Sequence, residues 1–261
     1  MVGGRVRIGE AEVVSVFDTA GVLGRYAELF PNAPEEAWDP WRDRHPELFD
    51  DGSWRLVVLV FVVRAGGTTV LVDSGVGPAG EGEFMPDRQG LLLDELTRAG
   101  VATDDVDVVF NSHVHVDHVG WNHAFPRARL VLHRATWEVA RRRSDEAHIR
   151  RNLIELADRV ETVDAETELA PGVLAFETPG HSPGHMSLLV GDDLVLLADV
   201  AAHPAQLTEP SYVFGYDDEP EVAVQTRRAV LAAYGDRLLA CPHFPRSGFG
   251  RLEQGVWTPI A

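Results

Sequence analysis

Apolar residues in this chain fall in short, largely β-branched runs separated by glycine, proline and acidic residues, the pattern of buried strands joined by loops. Arg55–Arg64 and Thr68–Val72 flank Ala65-Gly66-Gly67 and predict a hairpin. Further strands are expected at Glu12–Phe17, Val106–Phe110, Arg129–His133, Val173–Glu177, Met186–Val190, Leu194–Ala198 and Leu238–Cys241. Helical spacing marks Gly90–Ala99 with Gly100 as a left-handed cap, Ala135–Arg143, Ile149–Leu156, and Pro220–Tyr234 with Gly235 beyond its end. Leu23–Ser53 shows neither period. It holds Tyr26, Phe30, Trp38, Trp41 and Phe49 among prolines and acids and reads as irregular or short-helical. With no linker-like tract, residues 1–261 are expected to form one domain, with residues 18–54 a candidate substrate-pocket segment.

Composition narrows the partners. At 45% hydrophobic over 261 residues, the chain can bury a substantial core. The net charge of −18, from 41 acidic against 23 basic residues, disfavours nucleic acid and anionic membrane surfaces. A small-molecule substrate is the expected partner. The lone Cys241 allows no intrachain disulfide, which suits the cytoplasm. Neither the start, Met1 to Glu10, nor the longest apolar run, Leu56–Val63, supplies a secretory or membrane segment. A homodimer is compatible with all of this.

The chemistry lies in Asn111-Ser-His-Val-His-Val-Asp-His-Val-Gly120, directly after a predicted strand. His113, His115, Asp117 and His118 are too many for one tetrahedral ion, but two ions could divide them. Additional ligand types stand where later apolar strands run out: His181, Asp199 and His243. The carboxyl ends of strands are where separate segments of an open α/β architecture converge.

This motif, with its three later partners in order, resembles the metallo-β-lactamase superfamily in its dinuclear hydrolase form. Asp73-Ser74-Gly75 and Thr178-Pro-Gly-His-Ser-Pro-Gly-His185 are similar to recurring segments of that family. The resemblance spans roughly residues 55–245 and implies an α/β fold, a four-layer αββα sandwich with metals at one edge of the two sheets. It assigns one metal to His113, His115 and His181 and a second to Asp117, His118 and His243, with Asp199 bridging. Imidazole and carboxylate without thiolate suit two zinc ions, and iron, manganese or cobalt would fit the same ligands. A metal-bound hydroxide would then be the nucleophile, with Asp117 orienting it or carrying its proton, and Asp117 and Asp199 as the catalytic carboxylates.

Blander roles compete for the other residues. His45, His123, His133, His148 and His185 each read first as structural, and Cys241 as buried packing. Asp73 is a candidate to orient a ligand imidazole from behind. Trp38, Trp41, His203 and Phe214 are candidates for the substrate pocket, against an ordinary core role for each. The segments look most like the lactonase and organophosphate-hydrolase branch. One departure is Ala202, where acyl-homoserine lactonases carry a tyrosine three residues after the bridging aspartate. The expected reaction is hydrolysis of a lactone, ester or phosphotriester of a small, moderately apolar molecule. The alternatives are a β-lactam or thioester hydrolase, an iron-dependent redox enzyme, or a non-catalytic metal-binding protein.

Overall fold

The computed structural model describes residues 3–80 and 89–260. Residues 1, 2, 81–88 and 261 lie outside it, and with them the first two residues of the amino-terminal stretch read above. The first half supplies β1 (Arg5–Ile8), β2 (Ala11–Arg25), β3 (Phe49–Asp50), β4 (Ser53–Ala65), β5 (Thr68–Val72), β6 (Val108–Phe110), β7 (Arg129–His133) and β8 (Val160–Val163). These form one sheet in the order β1-β2-β4-β5-β6-β7-β8, with β3 on β4. The second sheet is built from β9 (Thr167–Ala170), β10 (Val173–Glu177), β11 (Met186–Val190), β12 (Leu194–Leu196), β13 (Leu238–Ala240), β14 (Phe249–Glu253) and β15 (Val256–Pro259), in the order β15-β14-β13-β12-β11-β10-β9.

The sheets pack face to face. Val57, Leu59, Phe61 and Val63 on β4 meet Ala175, Leu188, Leu196 and Phe249 in one core between them. The alternate residues Val60 and Val62 point the other way, against Leu92 and Leu96 of the helix Leu92–Arg98. On the far face of the second sheet, Val195, Leu197 and Leu239 pack with Val230 of the helix Pro220–Tyr234 and with the aromatic segment. Four layers, α-β-β-α, result. Strands buried on both faces need continuous apolar runs rather than alternation, which is why β4 reads as eight consecutive apolar residues.

Several expected elements shift. β2 runs on to Arg25, with its register broken between Phe17 and Thr19. The expected helix Ile149–Leu156 is instead Ala147–Asn152 followed by a 3-10 turn, Ile154–Arg159. The strand before Asp199 ends at Leu196, and Asp199 lies in a 3-10 turn, Ala198–Val200.

The pairing direction fixes where ligands collect. β5, β6 and β7 are parallel, as are β12 and β13, and β10 is separated from β12 by the antiparallel β11. The carboxyl ends of β5, β6, β10, β12 and β13 therefore face one edge of the sandwich.

Candidate metal centre

Beyond β6 the chain turns through Ser112–His115 and enters a single helical turn, Val116–Val119, which aims Asp117 and His118 back at the sheet edge. The turn is held from below. Ser74 N and Asn111 Nδ2 both donate to the His118 carbonyl, at 2.8 and 3.1 Å, and Asn111 pairs with Asn122. A Cβ on Gly120 would stand 2.1 Å from the Val76 carbonyl carbon, so only glycine allows this backbone approach. From the second sheet, the loop after β10 delivers His181. Gly180 adopts φ +124° against the backbone of Ala223.

Seven side chains converge. His113 Nε2 and His181 Nε2 lie 3.0 and 3.1 Å from His115 Nδ1. Asp199 places Oδ2 3.4 Å from His181 Nε2, and Oδ1 3.4 Å from both His118 Nε2 and His243 Nε2. Asp117 Oδ2 stands 3.7 Å from His243 Nε2 and 3.8 Å from His118 Nε2. His113, His115 and His181 thus form one trio of ligand atoms, Asp117, His118 and His243 another, and Asp199 reaches both.

A divalent pair fits this arrangement. Tetrahedral nitrogen ligands at about 2.0 to 2.1 Å from an ion lie roughly 3.3 Å apart, close to the spacing seen here. His118 Nε2 and Asp199 Oδ1 are buried without a hydrogen-bond partner among the described residues, a costly condition unless a cation completes them. Burial, reinforced by the neighbouring imidazoles, holds His113 and His115 well below the ordinary histidine pKa, leaving their lone pairs available. Burial also opposes charge on His118, but Asp199, Asp117 and Asp73 outweigh it and push that ring up to about 10. Burial likewise opposes the Asp199 carboxylate, yet His243, His118 and His181 hold it well below its usual range. The site is built for cationic charge at its centre.

The opposite nitrogens are fixed from behind, as ligand imidazoles require. His118 Nδ1 meets Asp73 Oδ2 at 2.8 Å, and Asp73 also accepts from Ser112 N and Oγ, so the sequence-predicted orienting role of Asp73 has its geometry. His243 Nδ1 donates to the Val57 carbonyl at 2.9 Å. His181 Nδ1 meets Asp217 Oδ1 at 3.0 Å, a partner the sequence reading missed because only the folded loop brings it near. His185, read as structural, anchors the backbone of Asp199: its Nδ1 donates to the Thr178 carbonyl and its Nε2 accepts from Asp199 N at 3.1 Å. Burial pushes its pKa down to about 3, consistent with that neutral tautomer. Cys241 is buried and donates to the Ala198 and Ala201 carbonyls.

The ligands floor an open cavity of about 980 Å³. Val22, Leu23, Trp54, Leu56, Phe214 and Tyr216 supply apolar wall, and Arg143, Glu146 and His148 a polar stretch. Phe214 lies where expected, but Trp38, Trp41 and His203 do not line this cavity. The His203 ring is fully buried, ringed by Tyr26, Phe30, Trp38, Trp41 and Trp54 with centroids 5.3 to 5.9 Å away. These rings gain more from packing on one another than from solvent exposure. Of residues 18–54, Val22, Leu23 and Trp54 line the cavity, and the middle of the segment is core.

Residues 53–212 match the family model described as the metallo-beta-lactamase superfamily. The chain belongs to this superfamily. Among curated metallo-beta-lactamase relatives, an N-acyl homoserine lactonase from Bacillus cereus is 31% identical over 168 residues, covering 58% of this chain and 66% of that protein. The chain thus matches just under two thirds of that relative's length. The lactonase AiiA of Bacillus thuringiensis subsp. kurstaki is 30% identical over 175 residues, covering 60% of this chain and 68% of that one. Solved structures share the whole metallo-beta-lactamase fold. The hydrolase AbOPH superposes with a TM-score of 0.83 at 23% identity, covering 100% of this chain and 99% of its own. AidC, a dizinc quorum-quenching lactonase, does so with 0.84 at 18% identity, covering 100% and 98%.

Proposed function

We propose that the protein is a dinuclear zinc hydrolase that opens a lactone bearing an apolar acyl arm. The observation that carries this reading is the convergence of seven ligand groups on the floor of a cavity with a partly aromatic wall. The lactonase relatives support the bond type. In this reading His113, His115 and His181 would hold one ion, Asp117, His118 and His243 the other, with Asp199 placed to reach both.

When bound, the two ions supply Lewis acidity toward a carbonyl oxygen and lower the pKa of water toward neutrality. Asp117 orients the attacking water. Water adds to the lactone carbonyl carbon, the ring C–O bond breaks, and Asp117 carries the proton to the departing alkoxide, giving a hydroxy acid. Val22, Leu23, Phe214 and Tyr216 bind the acyl arm and exclude bulk water from the reacting carbonyl, with Trp54 and Leu56 packed behind them. Ala202 is fully buried core, so no side-chain hydroxyl from that position assists the carbonyl, and the wall carries more of the recognition. A small-molecule substrate is the only partner this mechanism needs. The buried single thiol suits a reducing cytoplasm.

Measuring metal content alongside hydrolysis of lactones of increasing acyl length, an aryl ester, a phosphotriester and a cephalosporin tests the proposal. Two zinc equivalents with kcat/KM highest for long-arm lactones is the expected result. Two ions without lactone turnover would sink it, and bound iron without turnover on any substrate would favour the redox alternative. Asp199→Ala should lose metal and nearly all hydrolysis.

A further inference from the structure

The helix Pro220–Tyr234 carries a fully buried arginine, Arg227, on the face turned toward the site. A helix that needed only packing there would place leucine or methionine, because removing a guanidinium from water is expensive unless its donors are all used. Arg227 commits Nε and Nη1 to one loop, and Nη2 has an ion-pair contact there but no hydrogen bond among the described residues. Nε donates to the Val200 carbonyl at 2.7 Å, Nη1 donates to the Pro210 and Tyr212 carbonyls at 2.9 Å each, and Nη2 stands 3.7 Å from Asp217 Oδ2.

That loop is where three parts of the site meet. It starts at Val200, next to Asp199. It carries Phe214 and Tyr216 of the cavity wall. It ends at Asp217, whose Oδ1 meets His181 Nδ1 at 3.0 Å while Oδ2 accepts from Phe214 N at 3.3 Å. Two further backbone bonds, Asp218 N to the His181 carbonyl and Glu219 N to the Gly180 carbonyl, tie the same corner to the ligand loop.

We infer that Arg227 is a positioning residue that couples the substrate wall to the metal ligands, through the loop it clamps and through Asp217 on His181. The inference rests on the metal-binding reading above and deepens it. The Asp73 carboxylate, by contrast, hydrogen-bonds to Ser112 and His118 and, among the described residues, to no wall residue. The two supports should therefore differ. Loosening Arg227 lowers metal affinity and weakens binding of the acyl arm together, whereas loosening Asp73 lowers metal affinity alone.

The test uses the full chain and cobalt, whose visible absorption reports binding without substrate. Arg227→Lys keeps the charge, but one ammonium cannot serve three carbonyls and a carboxylate in the planar fork's geometry. Its expected signature is a cobalt affinity lowered about tenfold or more in chelator competition, with KM for a long-arm lactone rising by a larger factor than for a short one. A variant with native circular dichroism, wild-type cobalt affinity and wild-type KM would overturn the coupling. Should Arg227→Lys fail to fold, Asp217→Asn decides, since it leaves all three carbonyl bonds in place. A ten- to hundredfold weaker cobalt affinity supports the relay, and wild-type affinity overturns it. Wild-type protein that binds two cobalt ions but opens no lactone would remove the proposed function and leave the cobalt comparison standing.

Discussion

Asp73 carries more than its place in a loop suggests. It sits at φ +61°, a left-handed conformation that aspartate and asparagine tolerate better than most residues. From there its two oxygens take Ser112 N, Ser112 Oγ and His118 Nδ1. Asp73→Asn preserves shape and backbone but places an amide donor where one of three donors must be accepted. The expected result is a ten- to hundredfold loss of metal affinity, measured by chelator competition, with KM for the substrate unchanged. At this scale the ligands were legible in the sequence because each is a rare residue type in a rare spacing. Asp217, Arg227 and His185 were not, since an aspartate in a loop, an arginine on a helix and a lone histidine are ordinary until folding shows what they touch. The same ordinariness misplaced Trp38, Trp41 and His203: aromatic content alone does not distinguish a pocket wall from a packed core.

Strands showed themselves where both faces are buried. Arg129–His133, Val173–Glu177 and Met186–Val190 match the predicted spans residue for residue. β1, β8, β9, β14 and β15 escaped notice because they are short, partly exposed and carry charged or threonine positions at the sheet margins. The break in β2 was equally invisible, and it matters. It falls at Asp18, where an extra residue in the strand re-aims the side chain. The Asp18 carboxyl accepts from Val76 N at 2.7 Å and Leu92 N at 3.0 Å, pinning the post-β5 loop to the helix Leu92–Arg98. Burial raises its pKa to about 7, so protonation favours the folded state. That contribution is complete below about pH 4 and disappears as pH rises through about 7. In chelator-treated protein the Asp18 contribution should therefore fall over this interval, so thermal unfolding of Asp18→Asn compared with wild type should show a stability difference that shrinks as pH rises from about 4 to about 7. The loop after β10 has a comparable constraint. An added Cβ on Gly180 would lie 2.2 Å from Ala223 N, so Gly180→Ala should cost about 1–3 kcal/mol or more by denaturant unfolding.

Taken as a whole, the molecule sets acidic charge against a cation site: the chain is −18 overall, and two divalent ions would offset part of the four acidic and imidazole-rich segments that meet at one edge. No helix among the described residues is long and apolar enough to cross a membrane. Metal binding to the folded state alone stabilises it by about 4 kcal/mol when free metal exceeds Kd a thousandfold. For a chain of this length each kcal/mol moves Tm by roughly 2–4 °C. Removal of metal by chelator should thus lower Tm by about 10 °C, restored on adding zinc, and an unchanged Tm would argue against ions joining the two sheets.

The ligands are divided between those sheets, His113, His115, Asp117 and His118 from the first and His181, Asp199 and His243 from the second. Neither half alone can form either trio with its bridge. Capture of an ion by a complete trio therefore requires both sheets to be docked, and the expected outcome in refolding experiments is that zinc alters only the steps that follow that docking.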